Sequence, residues 1–424
     1  MYKYISNKII SFLGIVLFRL LLDINYVEIV NDIFNSSGFY DQMTILSYVI
    51  SWIVLLCFIP CVIKLYDSER IFFSNVVSFL FLKSFVPATS LMAFLSMPLE
   101  FFCLFLIYWV IFFSAINFTK PFRIFGGISK KDSLFYLYFI LISLLLVITY
   151  VSWKYTGFRL NFSLLNVYEL RDEESGWNLP GIFKYLLPVA DTILPVLLMY
   201  FWNKKNYIIV LVIVLGILLN FSLGGHKSII FKLFLCVLGY YFYTSNKIAL
   251  FSWFFNIICL FSLIEYRIWG SFFICSFIVR RVLFLPAQIN YMYYDFFSIH
   301  EKDIFRQSFL RHFGFVSPYD VPIPKIIGAN YMNNPETNVN NGLFSDAYYN
   351  LGFIGVFIFP IVIMFFIKTL DLGTRGVATR LLILPIIVSA SILSGASFMS
   401  GLLTNGLLLL LFILFVLPKY VFTC

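Results

Sequence analysis

The chain has 424 residues, 61% of them hydrophobic and only 12% charged, with a mean hydropathy of +0.93. A soluble domain carries about 25% charged residues, so this composition excludes an ordinary water-soluble fold. The net charge of +9 would suggest nucleic acid in a soluble protein, but about half of the Lys and Arg fall where the positive-inside bias accounts for them, and no nucleic-acid partner is expected.

Apolar runs of roughly 17–25 residues, the length a helix needs to cross a bilayer core, recur from end to end. The first, Ile9–Leu22, follows Lys3 and Lys8 but lacks a small-residue cleavage site, so it reads as a retained helix and not a signal peptide. In chain order the predicted helices lie near 5–22, 44–63, 71–96, 100–117, 134–152, 182–202, 207–223, 228–243, 247–264, 347–369, 377–398 and 401–418. The fold class is therefore an all-α polytopic membrane protein with about 12 transmembrane helices. Lys64, Arg70, Lys120, Arg123, Lys130, Lys131, Lys204, Lys205, Lys247, Arg375 and Arg380 then share one side with both termini. The loop 23–43 falls on the other side and holds Asp23, Glu28, Asp32 and Asp41 without any Lys or Arg, so the first side is cytoplasmic. Ile268–Leu285 is apolar enough to be a further short helix, yet counting it as a span would reverse the later Lys/Arg pattern. It is expected to dip into the membrane or lie at its surface. The chain thus divides into 1–264, with helices 1–9 and a short outer loop at 153–181, a large helical outer loop over 265–346 between helices 9 and 10, and 347–424 with helices 10–12.

The seven cysteines fall almost entirely in apolar runs, Cys424 at the end apart, and none makes a metal-type pair, so neither disulfide nor metal site is predicted. No phosphate-binding Gly-rich loop and no HExxH is present, and no cofactor is expected. Outer loops are normally poor in Lys and Arg, so those found there are candidates for function. A guanidinium at membrane depth is costly and its planar fork matches phosphate oxygens. Arg280 and Arg281 follow FFICSFIV and point about 100° apart on an α-helix, so one can enter a groove while the other reaches the headgroup layer. A lipid diphosphate at the boundary would satisfy both, and ordinary phospholipid headgroups are the alternative. Lys227 follows Gly224 and Gly225 at a helix start, where close backbone approach and the helix N-terminus favour anions; His226 stands beside it, and a short hairpin also needs glycine. Arg171 borders Asp172, Glu173 and Glu174, where a surface ion pair is the plain alternative. Arg267 opens the large loop. In the Asn- and Gly-rich stretch 328–355, Asn341, Asp346, Tyr348 and Asn350 cluster near the outer end of a helix, a combination that suits sugar hydroxyls. Asp346 is the best-placed base for a hydroxyl nucleophile, although carboxylates also cap helix N-termini; His312 is the other candidate.

The runs IVRRVLFLPAQINYMYYDFF (278–297), SPYD (317–320), IGANYMNN (327–334) and NNGLFSDAYYNLGFIGV (340–356), with the hairpin SLGGHKS (222–228), resemble the Wzy-type oligosaccharide repeat-unit polymerases of bacterial O-antigen synthesis. The resemblance implies a glycosyltransferase of the bacterial inner membrane with a periplasmic active site and cytoplasmic termini. It would transfer a growing oligosaccharide from undecaprenyl diphosphate to the non-reducing end of an incoming undecaprenyl-diphosphate-linked repeat, by an inverting, metal-independent route. Expected partners are that lipid-linked oligosaccharide, membrane lipids and, as a candidate, a chain-length regulator. Under this reading Arg280, Arg281, Asp346 and His312 are catalytic, and Arg171, Lys227, His226, Arg267, Asn341, Tyr348 and Asn350 bind substrate. The Arg-x10-Gly pattern of some members is missing: Arg171 lies one residue too close to Gly181, and Arg280 and Arg281 have no glycine at that spacing. The alternatives are an O-antigen ligase and a flippase or transporter. The latter needs charges along the helices, where Lys83 and Lys232 are nearly the only basic candidates and Asp191 the main acidic one.

Overall fold

A computed structural model describes residues 2–122, 129–161, 167–225, 227–243 and 249–419; Arg123, His226, Lys247 and Cys424 lie outside the described residues. Among the described residues the chain is helical with no strand. Nine of these helices are long and apolar enough to cross a membrane: Asn7–Ser37, Ile45–Ile63, Ile71–Phe94, Leu99–Phe118, Lys131–Thr156, Gly181–Asn203, Tyr207–Gly224, Ala249–Trp269 and Phe344–Thr374. Helices suit that solvent because they satisfy their own backbone polar groups. The protein is a multi-pass helical membrane protein. Shorter apolar helices, Phe231–Phe242, Thr379–Gly395 and Leu407–Val416, stand where the eighth, eleventh and twelfth were predicted. The last is shortened because Gly406, at φ +81°, separates it from Phe398–Leu403.

The residues group into two compact units. The first comprises Met1–Lys120, Lys247–Ile367 and Leu393–Phe398, and the second Pro121–Asn246, Lys368–Ile392 and Met399–Cys424.

In the first unit the helix Tyr2–Asn25 packs along Ala249–Trp269. Gly14 faces Ser252 and Trp253, and its carbonyl accepts from Asn256 Nδ2 at 3.0 Å. The helix does not end at Leu22: it runs on through a π turn, Tyr26–Val30, into Asn31–Phe34. Asp23, expected at the head of an outer loop, is therefore inside the helix and only 5% exposed, paired at 2.8 Å with fully buried Arg19 one turn earlier. Arg19 also donates to Ser51 Oγ at 3.1 Å and Thr89 Oγ1 at 3.4 Å and stacks over Trp52, while Ser90 Oγ donates to Asp23. This pair corrects the sequence estimate of the charges within the helices, which omitted both residues.

Two further π stretches have a common cause. Phe81–Phe85 is followed by Pro87, and Cys275–Phe284 by Pro286. A proline has no N–H for the carbonyl four residues back and its ring crowds that carbonyl. The wider turn passes over the defect, so that Val86 N–H bonds Phe81 O and Leu285 N–H bonds Arg280 O. The second stretch continues into Leu285–Ile299, so the segment read as dipping into the membrane or lying at its surface runs on into a long, packed helix. The chain turns into it at Gly270 (φ +63°), and the Glu265 carboxylate accepts from Phe273 N–H at 3.0 Å and Ile274 N–H at 2.7 Å, capping the new helix. Cys275, Val279, Leu283, Tyr293 and Phe297 form its buried face. The large loop thus carries helices, Leu285–Ile299 and Ile323–Met332 among them.

In the second unit Gly181–Asn203 contains Pro188 and Pro195. Pro195 cannot bond the carbonyl of Asp191, and Lys232 Nζ takes that oxygen at 3.0 Å. Asn220 Nδ2 donates to the Asp191 carboxylate. Tyr207–Gly224 ends in the left-handed Gly225, whose N–H bonds Phe221 O at 2.8 Å, the turn its glycines predict.

Breaking a buried ion pair on one side leaves an uncompensated charge, at about 3–5 kcal/mol. Arg19→Met is expected to lower the unfolding free energy in mixed micelles by that amount, and Arg19→Met with Asp23→Asn to recover most of it. Equal losses in the two variants would mean that the pairing is not what matters.

Candidate functional site

The first unit places Asn341, Asp346, Tyr348 and Asn350 at or just before the head of the helix Phe344–Thr374. That helix is broken at Gly352 (φ +56°, ψ −133°), so the carbonyls of Tyr349 and Asn350 are free of the helical ladder. They accept instead from Asp303 N–H at 3.0 Å and Ile304 N–H at 3.2 Å. Asn350 Oδ1 takes Phe305 N–H at 2.8 Å. Ile304 and Phe305 have φ of +52° and +61°, a conformation costing roughly 1–2 kcal/mol per non-glycine residue. These three hydrogen bonds hold it in place.

Asp346 stands one turn before Asn350. One carboxylate oxygen accepts from Asn350 Nδ2 at 3.0 Å and the other from Phe398 N–H at 2.6 Å; the side chain is only 2% exposed. The expected base is thus placed as a buried anchor that joins the helix head to the segment ending at Phe398 and, through Asn350, to 303–305. His312, the other expected base, is exposed on the turn Leu310–Phe313. Tyr348 is buried, its ring parallel to Phe344 at 5.8 Å and capped by Lys302 Nζ at 4.9 Å from the ring centre.

Asn341 joins a second group. Its Nδ2 lies within hydrogen-bond reach of Pro286 O (3.0 Å), Ser345 Oγ (2.9 Å) and Asn290 Oδ1 (3.2 Å), and Ser345 Oγ donates to Asn290 Oδ1 at 2.8 Å. Beside them is a small hollow lined by the polar side chains of Ser84, Asn290, Asn341 and Ser394 and by the rings of Phe105, Trp109 and Phe344. Gly342 forms part of its wall: a Cβ there would stand 2.6 Å from Ala396 O and closer still to Leu393 O, so only glycine lets these backbones meet. Lys83, displayed on the π turn Phe81–Phe85, donates to Ser394 Oγ at 2.8 Å.

Arg280 and Arg281 lie on the stretch Cys275–Phe284. Its π geometry turns successive residues through less than the roughly 100° of an α-helix. Arg280 is half-buried and stacks on Phe34 at 4.3 Å from the ring centre, with its buried Nε lacking a hydrogen-bond partner; Arg281 is exposed. Burial, and then the charge of Arg281, push the Arg280 pKa below its ordinary value. Neither makes an ion pair among the described residues, whereas Arg267 is held by both oxygens of Glu28, Arg306 by Glu301 at 2.7 Å and Lys325 by Glu336 at 2.7 Å.

A tyrosine–carboxylate face escaped the sequence reading. Tyr331 and Tyr291 donate to the two oxygens of Asp295 at 2.6 and 3.4 Å, and Tyr294 donates to Glu100 at 3.0 Å. Burial, reinforced by Asp295, pushes the Tyr291 hydroxyl up to about 12. The available signal was the packing of three tyrosines and an aspartate into 291–295.

The second unit holds Arg171 and Lys227. Arg171 is partly buried on Val167–Ser175, where burial raises the Glu174 carboxyl against the opposing charge of Arg171. Glu174, Asp191, Asn220 and Gly224 line a small hollow. Lys227 opens the helix Lys227–Phe242 as expected, and its side chain, like His226, lies outside the described residues. Among the described residues no three His, Cys, Asp or Glu side chains stand together as metal ligands would.

Compared with family models, curated proteins and solved structures, the chain matches none of them.

An unsatisfied buried group costs about 1–3 kcal/mol. Asn350→Ala, which orphans Phe305 N–H, is therefore expected to speed amide exchange at 303–307 by roughly 5- to 150-fold, with distant helices unaffected. Unchanged exchange there would show that Asn350 does not hold the loop.

Proposed function

We propose that the chain is a membrane glycosyltransferase that polymerises oligosaccharide repeats carried on undecaprenyl diphosphate, the reaction of the Wzy-type polymerases its motifs resemble. The observation that carries the reading is the Arg280–Arg281 pair. Two adjacent guanidiniums, neither ion-paired among the described residues and one half-buried with an unpartnered Nε, are suited to a diphosphate, whose oxygens a guanidinium fork matches. They sit in the stretch IVRRVLFLPA that carries the resemblance.

In the proposed reaction a hydroxyl at the non-reducing end of the incoming repeat attacks the anomeric carbon of the donor chain. The bond from that carbon to the phosphate oxygen breaks with inversion, the hydroxyl proton passes to a base, and undecaprenyl diphosphate leaves. Negative charge grows on the departing diphosphate, and Arg280 and Arg281 offset it where few waters compete. Asp346 serves as a positioning residue, since both its oxygens are occupied; His312 is the exposed candidate for the proton. Asn341 and Tyr348 shape the wall beside the helix head, and Arg267 is taken up by Glu28. No metal takes part. The site faces the periplasm of a bacterial inner membrane, with both termini cytoplasmic, an orientation resting on the distribution of Lys and Arg.

Losing one preorganised donor to a developing anion lowers a rate by about 10²–10³-fold. Arg280→Ala is expected to cut extension of lipid-linked repeats by that factor and, in a deletion strain, to leave lipopolysaccharide core bearing a single repeat where wild type restores a ladder. A full ladder from normally expressed Arg280→Ala and Arg281→Ala would refute the assignment. A deletion strain that accumulates lipid-linked polymer would identify a ligase instead, and one lacking even the single repeat would indicate a ligase or flippase.

A further inference from the structure

The large loop exposes an apolar tip that plays no part in the polymerase reading. Phe309, Phe313, Phe315 and Val316, all within eight residues, are 49%, 65%, 55% and 82% exposed. Single apolar residues on a surface are ordinary, but a contiguous group of this size marks a contact.

The tip has a fixed shape. Asp303, which is buried, clasps both ends of the segment: its carboxylate accepts from Gln307 N–H at 2.8 Å and from Ser317 Oγ at 2.7 Å. Gln307 ties the returning strand of the loop, donating to Tyr319 O at 3.1 Å and Val321 O at 2.9 Å and accepting from Ile323 N–H at 2.9 Å. Between these clasps Leu310 N–H bonds Phe305 O at 3.0 Å, Phe315 N–H bonds Leu310 O at 3.3 Å, and the chain reverses at Gly314 (φ +83°). The backbone of the tip is satisfied internally, and its apolar side chains are left pointing outward.

The root of the tip stands at the level of a membrane span. Phe305 stacks parallel on Phe359 with ring centres 5.9 Å apart, and Phe359 lies about two turns past Gly352 in Phe344–Thr374. The same two turns expose Phe353, Ile354, Phe357 and Ile358, the apolar surface that a span presents to acyl chains. A cation accompanies the apolar group. Arg311 is exposed and makes no ion pair among the described residues, whereas Arg306 at the root is taken up by Glu301. A guanidinium set between Leu310 and Phe313 suits the boundary layer, where its stem lies along acyl chains and its head reaches phosphate.

We propose that 309–316 is a membrane finger: Phe309, Phe313, Phe315 and Val316 enter the lipid leaflet beside the head of Phe344–Thr374, and Arg311 engages the phosphate of a phospholipid headgroup there. The far end of the large loop is then anchored to the bilayer, as an interfacial amphipathic segment is. The finger requires only the multi-pass fold and does not depend on the polymerase reading.

The test places photoreactive benzoylphenylalanine at Phe313 or at Phe315 of the full chain, with Asp320, exposed beyond the clasp, as the control position. Two test positions are used so that one remains if the other variant does not fold. Membranes holding the protein are irradiated before purification, and the tryptic peptide 312–325 is weighed. The expected result is a gain of one phospholipid mass at 313 and 315 and none at 320, with a lower yield of that adduct in Arg311→Gln. A cross-link from 313 or 315 to a second copy of the chain or to another protein would overturn the finger, as would no adduct at either position or an equal lipid adduct at 320. A yield unchanged in Arg311→Gln would overturn the headgroup contact.

Discussion

A charge removed from water among apolar helices must be matched, and in the first unit the match for one such charge is Asp23 beside Arg19. The pair is more than a local contact. Arg19 reaches Ser51 on the second span and Thr89 on the third, and Ser90 closes on Asp23 from that same third span. A bilayer offers no hydrophobic drive to bring one apolar helix against another, so packing and polar links of this kind set which helices adjoin. Three helices are fixed around a single guanidinium. The framework on which the later segments rest begins there, because the third span also carries the π turn that displays Lys83.

Backbone obeys the same constraint. Each interruption of a helical ladder leaves a carbonyl that must find a donor. At Pro87 and Pro286 the helix solves this itself by widening to a π turn. At Pro195 a side chain, Lys232, supplies the donor. At Gly352 a whole loop does so, through the N–H groups of Asp303 and Ile304. The consequence for the proposed site follows from these repairs. The wide turn before Pro286 carries Arg280 and Arg281, and the break at Gly352 ties the strained loop 303–305 to the turn that bears Asp346. The side chains of the proposed site are displayed where the regular ladder fails, since a regular helix has no polar backbone to spare.

Long apolar runs made most of the helices legible in the sequence, because a span must be about 20 apolar residues whatever its neighbours are. The hairpin at Gly224 and Gly225 was legible for an equally local reason, a left-handed turn that glycine alone adopts cheaply. Arg19 and Asp23 were not, since a window average absorbs one Arg among Leu and Phe, and Asp23 looks like the start of a loop until its partner is seen. The clustering of Asp346 with Asn350 was readable from their spacing of four on one helix. The state of that carboxylate was not, because the donor to its second oxygen is the backbone of Phe398, 52 residues further on. The π stretch carrying Arg280 and Arg281 has no signature in hydrophobic periodicity at all; only Pro286 hints at it.

Pairing separates the cations that hold the fold from those available to a ligand. Position on the outer loops, the criterion at hand in a sequence, grouped Arg267, Arg306, Arg280 and Arg281 together. Carboxylates divide them: Glu28 and Glu301 take up the first two, and among the described residues neither of the last two forms an ion pair. Exposure alone would mislead, since Arg267 is the more exposed of the paired residues and yet ion-paired, while Arg280 is half-buried and among the described residues has no ion pair.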